Sequence, residues 1–522
     1  MTTYYNPVIR GCHPDPSICR AGEDFYVATS SFTYAPGVPV YHSRDLVHWR
    51  LVSHCLSGAG QLQLEETRNS RGIYAPTLRY HQGRFYMITT DVDGIGNFIV
   101  HAGSAAGPWS DPVPVAQAGI DPSLFWDDDG VCWYCGKGRL AGERGIIAFA
   151  LNPLTGERLT KPCLISKGCG GKCAEGPHLY KKDGWYYLVT AEGGTQYSHR
   201  AVIQRSRKLL SGYEPCPHNP ILSHGEQNWL GIQAVGHLDL IEDQHGNWWG
   251  VCLGIRMFDD ILLHNLGRET FLVPVIWQDG WPRAGNAGCV GQVMAGPLPG
   301  GLPSETGKDD SLPPDEQWRF DYQKGQMPAD CVYIRRYNEE SYQPEDGRLL
   351  LWGSETVLDS VSGSPVCLLR PQEQFTITAT ACLNVPACGN GRFGITAYYS
   401  NYNHYDLAVI KSGNRSQLTL YKHIHDLGGV TETVGLAAEL SQLWLRIRAD
   451  QNGYYFEYRH QRSGWQELGR GVIAGLCTEA MMERSYTGTM IGLFAEGGKG
   501  VFEEDFVIDS KWQESWHLQV PG

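Results

Sequence analysis

The clearest pattern of hydrophobic and polar positions along the chain is a short apolar run, a polar turn that contains glycine, and a second run rich in aromatic residues. This combination is typical of a β-hairpin, and it occurs five times before residue 255. A motif that returns at intervals of tens of residues predicts a repeated structural unit. The five copies are HPDPSICRAGEDFYVATS, YAPTLRYHQGRFYMITT, IDPSLFWDDDGVCWYCG, AEGPHLYKKDGWYYLVT and GHLDLIEDQHGNWWGVCLG.

The copies also share an internal spacing. In four of them the residue that heads the first run lies 11 positions before an aromatic residue of the second run, as in Asp15 and Tyr26. The copy headed by Asp121 needs 13, because its turn, DDDG, is two residues longer. The residues that head the hairpins lie at 15, 75, 121, 175 and 237, so successive ones are 46 to 62 residues apart. This distance is enough for a four-stranded antiparallel sheet with its loops.

Five such sheets arranged around an axis form a five-bladed β-propeller, which protects its sheet edges by closing on itself. One large β-sandwich is the competing all-β interpretation, but it gives no reason for five similarly built hairpins. A ring makes the five hairpins equivalent by rotation. We therefore predict a propeller in which equivalent positions face a common axis.

The pattern changes after Trp281. The Gly- and Pro-rich stretch AGPLPGGLPSETGKDDSLPP predicts a crossing between domains. Beyond it, alternating runs such as QFTITATACL, RFGITAYYS and LWLRIRAD are separated by turns, as in a β-sandwich. At 522 residues the chain exceeds what one core usually serves. We expect an all-β protein with a propeller domain over 1–315 and a jelly-roll-like sandwich domain over 316–522.

Composition and charge exclude several classes of partner. The net charge of −13 and a pI near 5.8 argue against a phosphate-backbone partner, which would need clustered Lys and Arg. No stretch approaches the roughly 18 apolar residues that span a bilayer, and MTTYYNPVIRG has no basic segment followed by an apolar run. We expect no nucleic-acid or membrane partner, a cytoplasmic location and mostly buried, reduced cysteines. The sequence leaves a homo-oligomer open.

The residues that head the five hairpins are the candidate site. An Asp before Pro-Ser commonly starts a turn, and that is the plain structural interpretation of one such motif alone. Three acids around one axis are different, because like charges repel and raise each other's pKa, a cost rarely kept without use. The heading residues are Asp15, Ala75, Asp121, Glu175 and His237.

Two carboxyl groups that face each other across a pocket suit hydrolysis of a glycosidic bond, in which one acts as acid and the other as base or nucleophile. A third acid can help the donor to keep its proton near neutrality. Glu175 has the longest side chain of the three and is the candidate acid. Phe32 and Tyr74 are candidate flat walls for the C–H faces of a sugar. The alternatives are a sugar-binding propeller without catalysis and a fructan hydrolase on a related propeller.

HPDPSI, GIDPSLFWDDDG and AEGPHLYKKDGWYYL, in this order and spacing, resemble the glycoside hydrolase family 43 enzymes, particularly their β-xylosidase and α-L-arabinofuranosidase members. RGIYAPTLRY, GNFIVHAGSAAGPWSDP and LGRETFLVPVIWQDGWP are similar to the same group, so the likeness covers the first 300 residues. The second domain resembles the C-terminal jelly-roll-like domain of the β-xylosidase branch.

The resemblance implies an inverting mechanism with Asp15 as general base, Glu175 as general acid and Asp121 as the residue that tunes and orients the acid. Inversion needs room for a water molecule, so these carboxyl groups should lie roughly 6.5–9.5 Å apart. The resemblance also implies a histidine on the axis and an arginine near the sugar, which correspond to His237 and Arg268.

Two further implications concern the walls of the pocket. Relatives usually carry tryptophan where this chain has Tyr74, so its stacking and subsite preference are expected to differ. In related enzymes a loop of the second domain closes the pocket with an aromatic ring, and SYTGTMIGLF indicates Tyr486 for that position. A pocket closed on one side favours removal of single sugars from chain ends.

The expected activity is therefore exo-acting hydrolysis of terminal β-D-xylosyl residues of short xylo-oligosaccharides, with α-L-arabinofuranosyl residues as a second substrate. A predominantly arabinofuranoside-cleaving enzyme is the alternative. The chemistry requires no cofactor. Some relatives hold a calcium ion on the propeller axis near the histidine, so a structural Ca²⁺ near His237 is a further expectation, although the chain has no EF-hand-like acidic loop.

Overall fold

A computed structural model describes residues 1–58, 60–225, 231–258, 262–300, 316–461, 463–481, 483 and 485–512. The regular structure of these ranges is β-strand apart from four 3₁₀ helices, at Tyr322–Lys324, Glu339–Ser341, Ile473–Leu476 and Thr478–Ala480. The prediction of an all-β protein is confirmed. None of the helices in these ranges is long and apolar enough to cross a bilayer.

The described residues of the first part form twenty-four strands, numbered here in chain order. Those before residue 120 are β1 (Thr2–Tyr5), β2 (Ser17–Ala21), β3 (Asp24–Ala28), β4 (Tyr34–Ala35), β5 (Gly37–Ser43), β6 (Arg50–Leu56), β7 (Thr77–His81), β8 (Arg84–Asp91), β9 (Gly96–Ala102) and β10 (Val113–Pro114). Those that follow are β11 (Ile120–Trp126), β12 (Cys132–Leu140), β13 (Glu143–Ala150), β14 (Cys163–Ser166), β15 (Glu175–Lys182), β16 (Trp185–Glu192), β17 (Arg200–Ser206), β18 (Glu214–Pro215), β19 (Leu222–Ser223), β20 (Ile232–Glu242), β21 (Trp248–Arg256), β22 (Glu269–Gln278), β23 (Trp281–Ala284) and β24 (Val293–Gly296).

Most of these strands form five antiparallel sheets, each built from strands close together in the chain; only the first sheet omits an intervening strand, β4. The sheet orders are β2-β3-β5-β6, β7-β8-β9-β10, β11-β12-β13-β14, β15-β16-β17-β18 with β19 also on β17, and β20-β21-β22-β23. Every predicted hairpin forms the first two strands of one sheet. The first strands contact one another in the cyclic order β2, β7, β11, β15, β20 and back to β2.

A buried ion pair ties these first strands together. Asp239 on β20 receives two hydrogen bonds from Arg79 on β7, at 2.8 and 3.0 Å. It also accepts from the Tyr180 hydroxyl on β15 at 2.5 Å and from the Ser17 hydroxyl on β2 at 2.7 Å. Burial alone would raise the pKa of Asp239, but these partners outweigh burial and hold it well below its usual value. Four of the five first strands are thereby joined at one carboxylate.

The described residues of the second part form fifteen strands, of which fourteen lie in two main sheets and one pairs with the first part. Its strands are β25 (Glu316–Phe320), β26 (Tyr333–Ile334), β27 (Tyr342–Glu345), β28 (Arg348–Trp352), β29 (Val366–Pro371), β30 (Thr376–Asn384), β31 (Gly391–Ser400), β32 (Asn403–Ser412), β33 (Arg415–Ile424), β34 (Leu427–Gly435), β35 (Gln442–Asp450), β36 (Gly453–His460), β37 (Gln466–Gly471), β38 (Met490–Glu496) and β39 (Lys499–Lys511).

An eight-stranded sheet, β27-β28-β39-β30-β35-β36-β37 with β25 on β39, faces a six-stranded sheet, β29-β38-β31-β32-β33-β34. The two sheets share one hydrophobic core. Leu349, Ile447 and Phe502 from the first sheet and Phe393 and Leu407 from the second are among its fully buried members. This is the packing of a β-sandwich.

The two parts of the chain contact each other through backbone and buried polar groups. β26 pairs with β4 of the first part, and β1 pairs with β24 across the ends of that part. Arg256 forms a buried ion pair with Glu269 and also donates to the Gln374 side chain at 2.9 Å. The division at residues 315 and 316 stays a prediction, because residue 315 lies outside the described ranges.

Candidate active site

The residues that head the hairpins lie at the start of the first strands, as the repeat predicts, with one difference. Asp15 and Ala75 each precede their strand by two positions, Asp121 is the second residue of β11, and Glu175 opens β15. His237 lies inside β20, because this strand begins five residues earlier. The strand contains two register shifts, one on each side of Gly236.

Three of these residues adopt a left-handed backbone. The φ angles are 54° at Asp15, 53° at Asp121 and 50° at His237, and Gly176, next to Glu175, has φ 53°. Non-glycine residues in this region carry strain of about 1–3 kcal/mol each, and such residues cluster at functional sites. The repeated turn of the backbone aims the side chains of neighbouring sheets toward one another.

Asp15 is buried and held by two donors. The Ser30 hydroxyl donates to Oδ2 at 2.6 Å, and Arg268 donates from Nη1 to Oδ1 at 3.1 Å. Burial alone would raise the pKa of Asp15. The charges of Arg268 and His237 together with the Ser30 hydrogen bond outweigh burial, so the pKa of Asp15 lies below its usual value. This carboxyl group is therefore an anion over the whole neutral range.

Asp121 has the opposite environment. Burial and the negative charge of Glu175 raise the pKa of Asp121 to about 6, with a smaller contribution from Asp15. Its Oδ2 accepts a hydrogen bond from the Gly176 N–H at 3.1 Å. The Gly176 N–H thus places Asp121 beside Glu175, and Asp15 lies near enough for its charge to act on Asp121.

Glu175 forms an ion pair that the sequence analysis did not predict. Its Oε2 lies 2.5 Å from Nζ of Lys137 on β12. Burial disfavours the Lys137 ammonium, but the charges of Glu175 and Asp121 and the hydrogen bond to Glu175 outweigh burial and raise the pKa of Lys137. Lys137 stands between two glycines, in GKG, directly after the apolar run CWYC, and this is the sequence signal that could have identified it.

Gly176 explains the glycine of the AEGPH motif. A Cβ at this position would lie 2.9 Å from Nε2 of His237, and the positive φ adds strain for any side chain. The glycine therefore lets the backbone of β15 approach the imidazole while its N–H holds Asp121. Sequence reasoning found Glu175 here but not the function of its neighbour.

His237 is buried, and neither of its ring nitrogens has a hydrogen-bond partner among the described residues. The His178 ring lies edge-on to it with ring centres 6.4 Å apart. His199 contributes another buried imidazole, and burial together with the charge of His237 lowers the pKa of His199 to about 4. His237 thus has two further buried histidines beside it, which the repeat did not reveal.

The donors around His237 do not suit direct coordination of calcium. Ca²⁺ takes six to eight oxygen ligands, whereas the groups closest to His237 include imidazoles. The oxygens of Asp15 already accept from Ser30 and Arg268. Among the described residues, the His, Cys, Asp and Glu side chains that lie close enough together to share one ion are not those around His237.

The CWYC pair does not form a metal site either. Cys132 and Cys135 belong to two separate hydrophobic clusters, because residues three apart on a strand point to opposite faces. Burial raises the pKa of both thiols well above the usual value. Both side chains are packing residues.

Arg268 connects the carboxylates to an aromatic wall. Besides its bond to Asp15, it donates from Nη2 to the Tyr486 carbonyl at 3.0 Å. Its guanidinium lies 5.7 Å from the ring centre of Phe32 and 5.3 Å from that of Tyr486. A planar guanidinium stacks well in such a position. Arg268 thus touches both the acidic and the aromatic side of the site.

The aromatic wall consists of the three predicted rings. Phe32 and Tyr486 are stacked with centres 5.9 Å apart, and Tyr74 meets Phe32 and Tyr486 edge-on at 5.6 and 5.9 Å. Burial and the neighbouring Tyr486 raise the pKa of Tyr74 to about 12. Tyr486 comes from the second part of the chain, and its N–H donates to the Ser70 hydroxyl at 3.0 Å. The two parts of the chain therefore build this wall together.

Comparison with known proteins agrees with this architecture. The profile of "Glycosyl hydrolases family 43" matches residues 4–282, and that of "Beta xylosidase C-terminal Concanavalin A-like domain" matches residues 319–505. A "Non-reducing end alpha-L-arabinofuranosidase BoGH43B" of Bacteroides ovatus is 38% identical over 503 residues, covering 95% of this chain and 92% of the relative. A "Xylosidase/arabinosidase" of Butyrivibrio fibrisolvens is 40% identical over 446 residues, covering 80% and 82%.

Solved structures extend the likeness to the whole fold. The structure titled "Bacteroides ovatus Xyloglucan PUL GH43B" superposes with a TM-score of 0.88 at 36% identity and covers 98% of this chain and 100% of that one. A xylan beta-1,4-xylosidase from Bacillus halodurans gives a TM-score of 0.88 at 32% identity and covers 97% and 100%.

A β-rich fold of these two parts with a site of three carboxyl groups defines a glycoside hydrolase. The chain belongs to the glycosyl hydrolases of family 43 and carries the C-terminal Concanavalin A-like domain of the β-xylosidases. The predicted family is confirmed, as is the choice of an enzyme over a sugar-binding propeller without catalysis.

Proposed function

We propose that this enzyme removes terminal β-D-xylosyl residues from short xylo-oligosaccharides during xylan degradation, with inversion at the anomeric carbon. The observation that carries the proposal is the opposite electrostatic environment of two carboxyl groups in one buried site. The pKa of Asp15 is held low by Arg268, whereas the pKa of Asp121 is raised to about 6 by burial and Glu175. Asp15 is therefore an anion that can act as a base, and the repulsion between Asp121 and Glu175 favours a proton on this pair, as an acid at the same sugar requires.

In the proposed reaction Asp15 is the general base and Glu175 the general acid. Asp15 takes a proton from a water molecule whose oxygen attacks the anomeric carbon from the face opposite the leaving group. The bond from that carbon to the glycosidic oxygen breaks, and Glu175 gives its proton to this oxygen. The products are a sugar of inverted configuration and a shortened chain with a new hydroxyl group.

Asp121 and Lys137 act on the acid in opposite directions. A negative charge on Asp121 disfavours a second one on Glu175 and so favours protonated Glu175, which is the form that can donate. The Lys137 ammonium at 2.5 Å favours the carboxylate that Glu175 becomes after the transfer. We propose that these two charges act on the two forms of the acid, the protonated donor and the carboxylate that it leaves.

The wall of Phe32, Tyr74 and Tyr486 supports exo action. We propose that it packs on the C–H face of the terminal sugar while Arg268 binds hydroxyl groups, so that the pocket admits one sugar only. This fold is proposed to be a five-bladed propeller over 1–315, whose blades are the five sheets with cyclically contacting first strands, followed by the accessory sandwich over 316–522.

A second candidate is predominant action on α-L-arabinofuranosides. It is favoured by the Bacteroides ovatus relative, which is named a non-reducing end α-L-arabinofuranosidase. Xylopyranose and arabinofuranose can present similar hydroxyl positions to one pocket. The Butyrivibrio fibrisolvens relative carries both activities in its name. Tyr74, where relatives usually have tryptophan, is the residue proposed to influence the preference.

The test compares hydrolysis of nitrophenyl β-D-xyloside and nitrophenyl α-L-arabinofuranoside by the natural protein and two variants. Glu175→Gln and Asp15→Asn keep the size of each side chain but remove the proton donor or the base, and we expect kcat to fall by about 10³-fold or more. Asp128→Asn, in an exposed turn, is the matched control and should keep full activity.

The ratio of the two substrates' kcat/KM decides between the candidates. NMR detection of the anomer that forms first tests inversion. The proposed roles are wrong if both variants retain the kinetics of the natural protein. The enzyme proposal itself fails if neither substrate is hydrolysed faster than by Glu175→Gln.

We propose that the chemistry needs no cofactor, because an acid and a base suffice for it. A structural Ca²⁺ near His237 stays a prediction, although the donors there do not suit its direct coordination, and metal analysis of the purified protein tests it. Cytoplasmic location is likewise proposed, and cell fractionation tests it.

A further inference from the structure

A second group of polar side chains lies on the C-terminal sandwich, away from the carboxylates of the active site. His404 on β32 and His423 on β33 are direct cross-strand partners, so both rings lie on the same face of the six-stranded sheet. Asp359, from the connection between β28 and β29, meets both histidines. One ligand atom of each of the three residues lies within 4.8 Å of the others.

The orientation of His404 is fixed by a further carboxylate. Its Nδ1 lies 3.0 Å from both oxygens of Asp406, two residues along the same strand. Because an ionised carboxylate only accepts hydrogen bonds, Nδ1 is the donor, and in the neutral ring Nε2 carries the lone pair. Metal-binding histidines are oriented in this way by an outer carboxylate.

The remaining nitrogen of His404 points into the group. The His404 side chain is fully buried, and Nε2 has no hydrogen-bond partner among the described residues. It lies 3.5 Å from Oδ1 of Asp359. Two ligands of a tetrahedral ion bound at about 2.1 Å are separated by roughly 3.4 Å. The separation thus suits two ligands of one small dication.

The charges around the group also suit a dication. Asp359, Asp406 and Glu496 carry three negative charges, and Arg392 supplies one positive charge through its ion pairs with Asp406 and Glu496. The net charge of these four side chains is therefore −2. Two imidazole nitrogens and one carboxylate oxygen are a donor set for zinc and its neighbours in the first transition row, whereas Ca²⁺ and Mg²⁺ prefer oxygen alone.

We propose that Asp359, His404 and His423 bind a zinc-class dication, with Asp406 orienting His404. Asp359 and His423 are partly exposed, so solvent can reach the group and occupy a fourth position. The Tyr421 hydroxyl donates to Asp359 at 3.0 Å and orients this carboxylate from outside.

The site fastens a segment of the second part of the chain that also contacts the first part. Next to Asp359, Leu358 is buried and its N–H donates to Glu496. Further along the same connection, Gly363 donates its N–H to the Glu65 carbonyl of the first part at 2.7 Å. A metal at Asp359 therefore holds the connection to the sandwich sheet close to where it touches the first part. The proposal is independent of the proposed sugar chemistry.

The test measures zinc binding by the full chain after treatment with EDTA and gel filtration. Calorimetry with ZnCl₂ should show one strong site in the natural protein, and bound Co²⁺ should give the visible spectrum of a tetrahedral nitrogen-containing site. His423→Ala and Asp359→Asn should weaken this site at least about tenfold. His460→Ala, a histidine on the other sheet of the same sandwich, is the matched control and should bind as the natural protein does.

Thermal unfolding adds a second measurement. Zinc should raise Tm of the natural protein and of His460→Ala but not of Asp359→Asn. Asp359 lies in a partly exposed connection, so this variant tests the proposal even if His423→Ala does not fold. The proposal is overturned if the natural protein binds no zinc, which would leave an ion-pair cluster only. It is equally overturned if both variants keep the strong site, since the metal would then be elsewhere.

Discussion

Two groups of buried charges lie on the same ring of first strands, and they differ in how completely their hydrogen bonds are satisfied. Around Asp239, the carboxylate accepts five hydrogen bonds, from Ser17, Ile18, Tyr180 and twice from Arg79. In the second group, Asp121 on β11 accepts from Gly176, four residues before Tyr180 on β15, and both nitrogens of His237, two residues before Asp239 on β20, lack partners among the described residues.

The backbone conformation also differs between the two groups. Asp15, Asp121 and His237 are in the left-handed region, whereas Asp239 and Arg79 are not among the residues with positive φ. A fully satisfied network stabilises the ring. An incompletely satisfied one keeps polar atoms available for a ligand and displaces pKa values. The comparison suggests that one set of strands serves stability at Asp239 and chemistry at Asp15, Asp121 and Glu175.

The largest expected effect is on the satisfied group. Asp239→Asn leaves the Arg79 charge buried without a counter-charge, and we expect the free energy of unfolding to fall by about 3–5 kcal/mol. Denaturant unfolding at pH 7 measures it. Glu143→Gln, which breaks the exposed pair with Lys167, is the control and should change stability by less than about 1 kcal/mol. Equal effects of the two variants would contradict the comparison.

The pH dependence of stability sharpens this prediction. The pKa of Asp239 is lowered in the folded protein, so its contribution is complete above the unfolded pKa of about 3.9 and is lost as pH falls toward the folded value. Asp239→Asn should therefore lose less stability between pH 5 and the acid range than the natural protein does. The other carboxyl groups are present in both proteins and form a common background to this difference.

Asp121→Asn should change the pH profile rather than the stability. Removal of the negative charge beside Glu175 makes it easier for Glu175 to ionise, so the alkaline limb of kcat/KM should move to lower pH by about one unit, equivalent to about 1.4 kcal/mol. Initial rates on the better nitrophenyl substrate from pH 4 to 9 measure the shift. An unchanged alkaline limb would remove the tuning role of Asp121.

Arg268→Gln should move the acid limb. Arg268 holds the pKa of Asp15 low, so its loss raises that pKa and the acid limb of kcat/KM moves to higher pH, by about one unit. Ser30→Ala removes one hydrogen bond to the same carboxylate and should shift the limb in the same direction by less. A shift of the alkaline limb alone would contradict the assignment of Asp15 as the base.

Lys137→Met should give the smallest effect, because Lys137 is partly exposed and solvent screens its charge. Its ammonium favours ionised Glu175, so the alkaline limb should move to higher pH by a few tenths of a unit. The pH profile of kcat/KM that is used for Asp121→Asn also measures this shift. The alkaline limbs of the two variants should move in opposite directions.

Some of the site could be predicted because it repeats. The 11-residue spacing located Asp15 and Glu175 at equivalent positions, and the Asp-Pro-Ser motif located Asp121 despite its longer turn. Lys137 and His199 could not be found in this way, because each lies at a position that the other hairpins do not share. Tyr486 was found through resemblance alone, since it is more than 400 residues away from Phe32 and Tyr74.

The sequence by itself determined the strands and the hairpins, because alternation of apolar and polar residues and the glycine turns act over a few residues. It also determined which acids head those hairpins. Only the tertiary structure decided how these acids ionise, since the charge of Arg268 at Asp15 and the burial of Asp121 beside Glu175 arise when distant strands meet. Electrostatic interactions depend on distance in space and on exclusion of water, and neither is written in the order of residues along the chain.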